Sequence, residues 1–133
     1  MQKIAIIGAG NVGGQIAAFL IKEGQVDTST ALSINGERSR TIDVLLLDVV
    51  KGLAKGKALD LEDCASVLRQ DCVIKGSEDF SLLKDRDIVV LTAGMSRKPG
   101  MSRDDLLKKN SEIIKDISLK IKEYACGKIV LVI

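Results

Sequence analysis

Short apolar runs and longer apolar stripes alternate along this chain. Lys3-Ile4-Ala5-Ile6-Ile7 is an apolar run of the kind that forms a buried parallel strand. Gln15-Ile16-Ala17-Ala18-Phe19-Leu20-Ile21 reads as a helix that stops near Glu23-Gly24. Asp43-Val44-Leu45-Leu46-Leu47, ending at Asp48, predicts a second strand. From Gly52 to Leu68 the apolar positions follow a helical period of about four turns. Cys72-Val73-Ile74 is a short third strand, and Asp79 to Leu83 a short helix. Asp87-Ile88-Val89-Val90-Leu91-Thr92-Ala93 is apolar on both faces and predicts a central fourth strand. A long helix begins at Ser102, with Asp105 as its capping-box partner. Its apolar stripe is Leu106, Leu107, Ile113, Ile114, Ile117, Ile121 and Tyr124. Gly127 ends it, and Lys128 to Ile133 predicts a fifth strand. Strands that alternate with helices predict an α/β fold, a doubly wound parallel sheet of order 3-2-1-4-5.

The stretch Gln25–Thr41 breaks this rhythm. It is rich in Ser and Thr and carries Asn35-Gly36, so it reads as an inserted loop or a hairpin turning at Asn35-Gly36. There are no internal repeats, and a chain of 133 residues suits one domain.

Composition narrows the function. Apolar residues make up 46% of the chain and aromatics only 2%, which predicts an aliphatic, alanine-rich core. The net charge of +2 arises from 20 basic and 18 acidic residues, too balanced for a nucleic-acid or membrane-surface protein. No run reaches transmembrane length, and the first residues lack the plan of a signal peptide, so the expected location is cytoplasmic. Cys64, Cys72 and Cys126 have no C-x-x-C spacing and are expected to be small buried or half-buried thiols, with no metal site. Asp60, Glu62 and Asp63 are expected on a solvated helix face, without the spread of oxygen ligands that a Mg²⁺ or Ca²⁺ site uses. The chain has no histidine.

The chemistry concentrates where the first strand meets the first helix. Gly8-Ala9-Gly10-Asn11-Val12-Gly13 is a G-x-G-x-x-G turn in strand–turn–helix context, the arrangement that holds a dinucleotide. Gly8 permits the tight turn, Gly10 lets a pyrophosphate approach the backbone, and Gly13 lets helix and strand pack closely. The helix start offers N–H groups and the positive end of its dipole. Asp48 ends the second strand, where a carboxylate accepts ribose hydroxyls and repels a 2′-phosphate, favouring NAD over NADP. It lies farther beyond Gly13 than the usual offset of about 20 residues, and the Gln25–Thr41 stretch accounts for the excess. Arg97 and Arg103 flank a Pro-Gly turn. One guanidinium can pair with a carboxylate and the other can polarise a carbonyl, although two arginines in a polar loop also suit a solvated surface. Asn110 sits among apolar neighbours, either as a buried hydrogen-bonded amide or as a cofactor contact.

Together these segments resemble the malate/lactate dehydrogenase family. The resemblance is carried by Ile7 through Gly13, Leu46-Leu47-Asp48-Val49-Val50-Lys51-Gly52 with Gly56-Lys57-Ala58-Leu59-Asp60-Leu61, and Thr92-Ala93-Gly94 with Arg97 through Leu106. Arg97-Lys98-Pro99-Gly100 is similar to the malate branch. The lactate branch usually has Gln at the position of Arg97. The resemblance implies an oxidoreductase of the tricarboxylic acid cycle that moves hydride between malate and NAD, giving oxaloacetate and NADH. It implies that Gly8, Ala9, Gly10, Asn11, Val12, Gly13, Asp48, Ala93, Gly94 and Asn110 contact NAD. By the same resemblance Arg97 binds the distal carboxylate of malate or oxaloacetate, and Arg103 polarises the carbonyl. The Gly52–Ala65 helix is similar to one that packs across a dimer interface, so a homo-oligomer is expected.

In that family a histidine held by an aspartate is the general acid/base, and it stands in a following substrate domain. Residues 1–133 are therefore expected to be the dinucleotide-binding domain without its last strand and without that second domain, and inactive alone. Two alternatives stand beside this: a non-catalytic dinucleotide-binding module, and an inert fragment whose exposed last strand drives self-association.

Overall fold

The computed structural model describes residues 2–23, 42–70 and 72–133. Among these residues five parallel strands form one sheet: β1 (Gln2–Ile7), β2 (Ile42–Leu47), β3 (Cys72–Ser77), β4 (Ile88–Leu91) and β5 (Ile129–Val132). Their order is β3-β2-β1-β4-β5, as the alternation of runs and stripes predicts. Among the described residues three α-helices connect them: α1 (Asn11–Glu23), α2 (Leu53–Val67) and α3 (Arg103–Tyr124). A short 3-10 helix, Phe80–Asp85, precedes β4 and is capped by the Asp79 carboxylate, which accepts from Ser81 N–H. The hairpin expected around Asn35-Gly36 lies outside the described residues.

The alternation of side chains along a strand divides the core into two layers. Ile4 and Ile6 of β1, Val44 and Leu46 of β2 and Val90 of β4 pack under α1 and α2. Ala5 and Ile7, Leu45 and Leu47, and Val89 and Leu91 pack on the other face, against α3 and the 3-10 helix. Each central strand is thus buried on both sides. Small residues set the helix approach: α2 turns Ala54, Ala58, Leu61 and Ala65 inward, and α1 buries Ala17 completely.

Three details depart from expectation. β3 runs on to Ser77 rather than stopping at Ile74. Gly76 makes this possible, because a Cβ there would overlap the Ala54 carbonyl oxygen at the start of α2. Leu107 is 67% exposed, since it sits one position round the helix from the inward row through Ile113, Ile117 and Ile121. Cys64 and Cys126 are exposed rather than buried, and only Cys72 is half-buried. Cys64 follows Asp63 on the outer face of α2, and Cys126 lies beyond the end of α3, so neither point is covered.

The amino end of the sheet is fastened by charge. Asp43 and Arg86 form a buried ion pair at 2.6 Å, each only 6% exposed. Lys3 pairs with Asp85 at 2.7 Å, and its backbone N–H donates to the Asp87 carboxylate. Asp43 therefore stands at the opposite end of β2 from Asp48. No helix of the described residues is long and apolar enough to cross a membrane.

Candidate functional site

The carboxyl ends of β1 and β4 lie side by side where the strand order reverses, the place at which open α/β sheets hold ligands. Backbone pairing persists beyond the strands there. Gly8 N–H donates to the Leu47 carbonyl at 2.8 Å, and Thr92 N–H to that of Ile7 at 2.9 Å. The Thr92 hydroxyl lies 3.2 Å from the Ile7 carbonyl oxygen and 3.1 Å from that of Gly8, so one proton is shared between two acceptors.

Gly8 adopts φ +105, which only glycine takes without strain, and a Cβ on it would press on Thr92 Oγ1 and Ala93 N. A Cβ at Gly13 would overlap the Gly8 carbonyl oxygen, so α1 can start this close to β1 only with glycine there. Gly10 is different. A Cβ on it would meet nothing within 4 Å. That open space lies directly before the first turn of α1, which holds no acidic residue. The first intrahelical bond is Gly14 N–H to the Gly10 carbonyl at 2.9 Å, so the preceding N–H groups have no helical acceptor. Free donors, a positive dipole end and an empty approach fit a pyrophosphate.

Asp48 links the end of β2 to this turn. One carboxylate oxygen accepts the Ala9 N–H at 2.8 Å, and the other accepts the Val50 N–H at 2.9 Å. A carboxylate offers about four lone-pair sites, so about two remain for a ligand's hydroxyl groups. Next to it α2 begins at Gly52, which has φ +80 and donates its N–H to Glu78. That N–H, with the Lys55 ammonium at 3.2 Å, holds the Glu78 carboxyl below its ordinary pKa.

These elements enclose an open cavity of about 590 Å³. Of the residues singled out in the sequence, Gly8, Gly10, Asp48, Ala93 and Gly94 line it. Ala9, Asn11, Val12 and Gly13 belong to the same turn but are not in the lining. Asn110, half-buried on α3, does not line it either. Its carboxamide is engaged with the Met95 backbone, accepting the N–H at 2.7 Å and donating to the carbonyl at 3.3 Å. It pins the start of the segment that carries Arg97.

That segment closes with a turn, in which Met101 N–H donates to the Lys98 carbonyl at 3.1 Å and Gly100 takes φ +81. Pro99 and Gly100 supply the two angles that a type II turn needs. Arg97 Nε donates to the Met101 carbonyl at 2.9 Å, which leaves its two terminal amino groups for a ligand carboxylate. Arg103 is the first residue of α3 and is exposed. Ser102 and Asp105 form the expected capping box, and hydrogen bonds from Ser102 hold the Asp105 carboxyl below its ordinary pKa.

The cavity also contains Ile113 and Ile117 of the predicted α3 stripe, together with residues that periodicity alone does not reveal. Val49, Val50, Leu53, Phe80, Ile113 and Ile117 give it an apolar wall, and Glu112 and Asp116 add charge. Apolar residues just past a strand end, like Val49 and Val50, are the one sequence signal that could have flagged them. Among the described residues no group of three or more His, Cys, Asp or Glu could hold a metal ion.

Comparison with known proteins agrees with this geometry. A family model for the NAD-binding domain of lactate/malate dehydrogenases matches residues 2–133. A malate dehydrogenase of Chlorobium phaeovibrioides is 40% identical over 132 residues, covering 99% of this chain and 38% of that protein. The malate dehydrogenase of Picrophilus torridus in its apo form superposes with a TM-score of 0.81 at 38% identity, over 98% of this chain and 37% of that one. That of Archaeoglobus fulgidus in complex with NADH gives 0.80 at 37% identity, over 98% and 40%. The chain spans about two-fifths of the length of each of these relatives.

Proposed function

The chain belongs to the lactate/malate dehydrogenase family as an NAD-binding domain, and from that premise we propose that it is the cofactor half of an enzyme moving hydride between malate and NAD. Its cofactor is NAD. One observation supports the reading most directly: Asp48 and Gly10, the residue that directly precedes α1 and leaves an open approach, line a single cavity at the strand-order reversal. NAD, when bound, supplies the two-electron acceptor, and the rest is done by side chains.

In this reading the N–H groups at the start of α1 bind the pyrophosphate. The remaining lone pairs of Asp48 accept ribose hydroxyls, and its charge disfavours a 2′-phosphate. The terminal amino groups of Arg97 pair with the distal carboxylate of malate or oxaloacetate, and that bidentate fit favours a dicarboxylate over lactate. Arg103 polarises the reacting carbonyl. Ala93 and Gly94 border the cofactor, and Asn110 fixes the loop that carries Arg97. Hydride transfer to a carbonyl also needs a proton, and this chain has no histidine to provide it. Residues 1–133 therefore bind cofactor and contribute arginines, and turnover requires a second domain. The exposed apolar residues Leu59 and Val67 on α2 support a role for that helix in homo-oligomer formation.

A second reading, a dinucleotide-binding module that catalyses nothing, is favoured by that same lack of histidine beside a formed cavity. Titration of the chain with NADH and with NADPH tests the cofactor assignment. Saturable NADH binding, weaker for Asp48→Ala and poorer with NADPH, is expected, together with no malate-dependent NADH formation. A folded chain that binds neither nucleotide overturns the assignment. Malate turnover that is abolished by Arg103→Ala overturns the claim that the chain is inactive alone.

A further inference from the structure

Among the described residues, the ionisable side chains that line the cavity are Asp48, Glu112 and Asp116. As carboxylates all three only accept hydrogen bonds. They are not equivalent. Asp48 is committed to the Ala9 and Val50 N–H groups. Asp116 is paired at 3.0 Å with Lys120, whose ammonium also sits 4.5 Å from the centre of the Phe80 ring. Glu112 has neither a hydrogen bond nor an ion pair among the described residues. It lies one helical turn before Asp116, on the face of α3 that also brings Ile113 and Ile117 to the cavity.

The cavity therefore combines an apolar wall with one carboxylate, that of Glu112, which makes no hydrogen bond or ion pair among the described residues. Such a surface suits a flat uncharged ring that presents an N–H at its edge. A ring presenting a carbonyl there faces the carboxylate with another acceptor. Adenine and hypoxanthine differ in this respect, since the first carries an exocyclic amine where the second carries an oxygen.

We propose that Glu112 is a specificity-determining residue of the base subsite: its carboxylate accepts an N–H from the exocyclic amine and selects adenine over hypoxanthine. The proposal rests on the NAD reading, which places a ribose at Asp48 and hence the base in the adjoining apolar part of the cavity. Glu112 is on the exposed surface of α3, so its contribution is that of a solvent-touched charged hydrogen bond, about a tenfold effect in affinity.

The test compares NADH with reduced nicotinamide hypoxanthine dinucleotide by fluorescence titration of the 133-residue chain and of Glu112→Gln. Circular dichroism checks that the variant is folded. The chain is expected to bind NADH roughly tenfold more tightly than the hypoxanthine analogue. In Glu112→Gln that ratio is expected to fall towards one, because a carboxamide can turn either its oxygen or its amine to the ring. Equal affinities in the unaltered chain overturn the proposal and leave the NAD assignment standing. So does a preference that survives intact in Glu112→Gln. Failure of a folded chain to bind either nucleotide overturns the NAD assignment and this proposal with it.

Discussion

Gly10 and Gly13 stand three residues apart in one turn, yet the structure asks different things of them. At Gly13 a methyl group has nowhere to go, because the Gly8 carbonyl occupies its place. Gly13→Ala is expected to destabilise the chain by about 3 kcal/mol, as forced overpacking against backbone does, and urea denaturation would read it. At Gly10 a methyl group fits without contact, but it occupies the approach that the pyrophosphate needs. Gly10→Ala is expected to keep its unfolding midpoint and lose roughly tenfold or more in NADH affinity. A Gly10→Ala chain that unfolds early, or binds normally, contradicts this division of roles. The glycine pattern was legible in the sequence because its constraint is local, a matter of φ angles and neighbours a few residues away. Glu112 was not legible, because only the packing of α3 beside the strand ends turns an ordinary helix carboxylate into a cavity residue.

Among the elements, α3 carries the clearest sequence signals. Its amino end is closed by Ser102 and Asp105, each side chain accepting the other's backbone N–H. Ser102→Ala is expected to cost about 1 kcal/mol, read as a lower thermal midpoint. The capping box also has a pH signature. The Asp105 carboxyl is held below its ordinary 3.8 by the Ser102 hydroxyl and then by the Ser102 N–H. A lowered folded pKa adds stability that is present above the ordinary value and is lost as pH falls through the folded one. The difference between the chain and its Ser102→Ala variant should therefore be steady near neutrality and shrink below about pH 3.8. A difference that grows in acid would refute the capping account. Strand β3 was less legible, since Lys75-Gly76-Ser77 has no apolar signature. It extends because β2 pairs with it along its whole length and Gly76 admits the start of α2. Leu107 departs for the opposite reason: its apolar side chain matches the stripe by type, but the stripe passes beside it.

At the scale of the molecule, the sheet order followed from alternation and handedness, which hold for any chain of this pattern. The strand β5 is the exception to its burial. It pairs with β4 on one side, and every residue from Ile129 to Val132 is exposed. Apolar outer strands promote pairing between copies. Sedimentation is expected to show association that rises with concentration, reduced by Val130→Lys with the circular dichroism spectrum unchanged. A sharply monomeric profile at high concentration would count against it. The amino end of the sheet holds a different kind of constraint. Asp43 and Arg86 are buried together, 43 residues apart in the chain, joined through a terminal amino group of Arg86, while its Nε has no hydrogen-bond partner among the described residues. Replacing either one alone strands a charge in the interior, at about 3–5 kcal/mol, a large part of what a small domain possesses. Replacing both with apolar residues of matching volume can leave stability unchanged. Inherited change at these two positions is thus confined to joint steps, and lineages that descend from such a sequence should keep the pair or lose it whole.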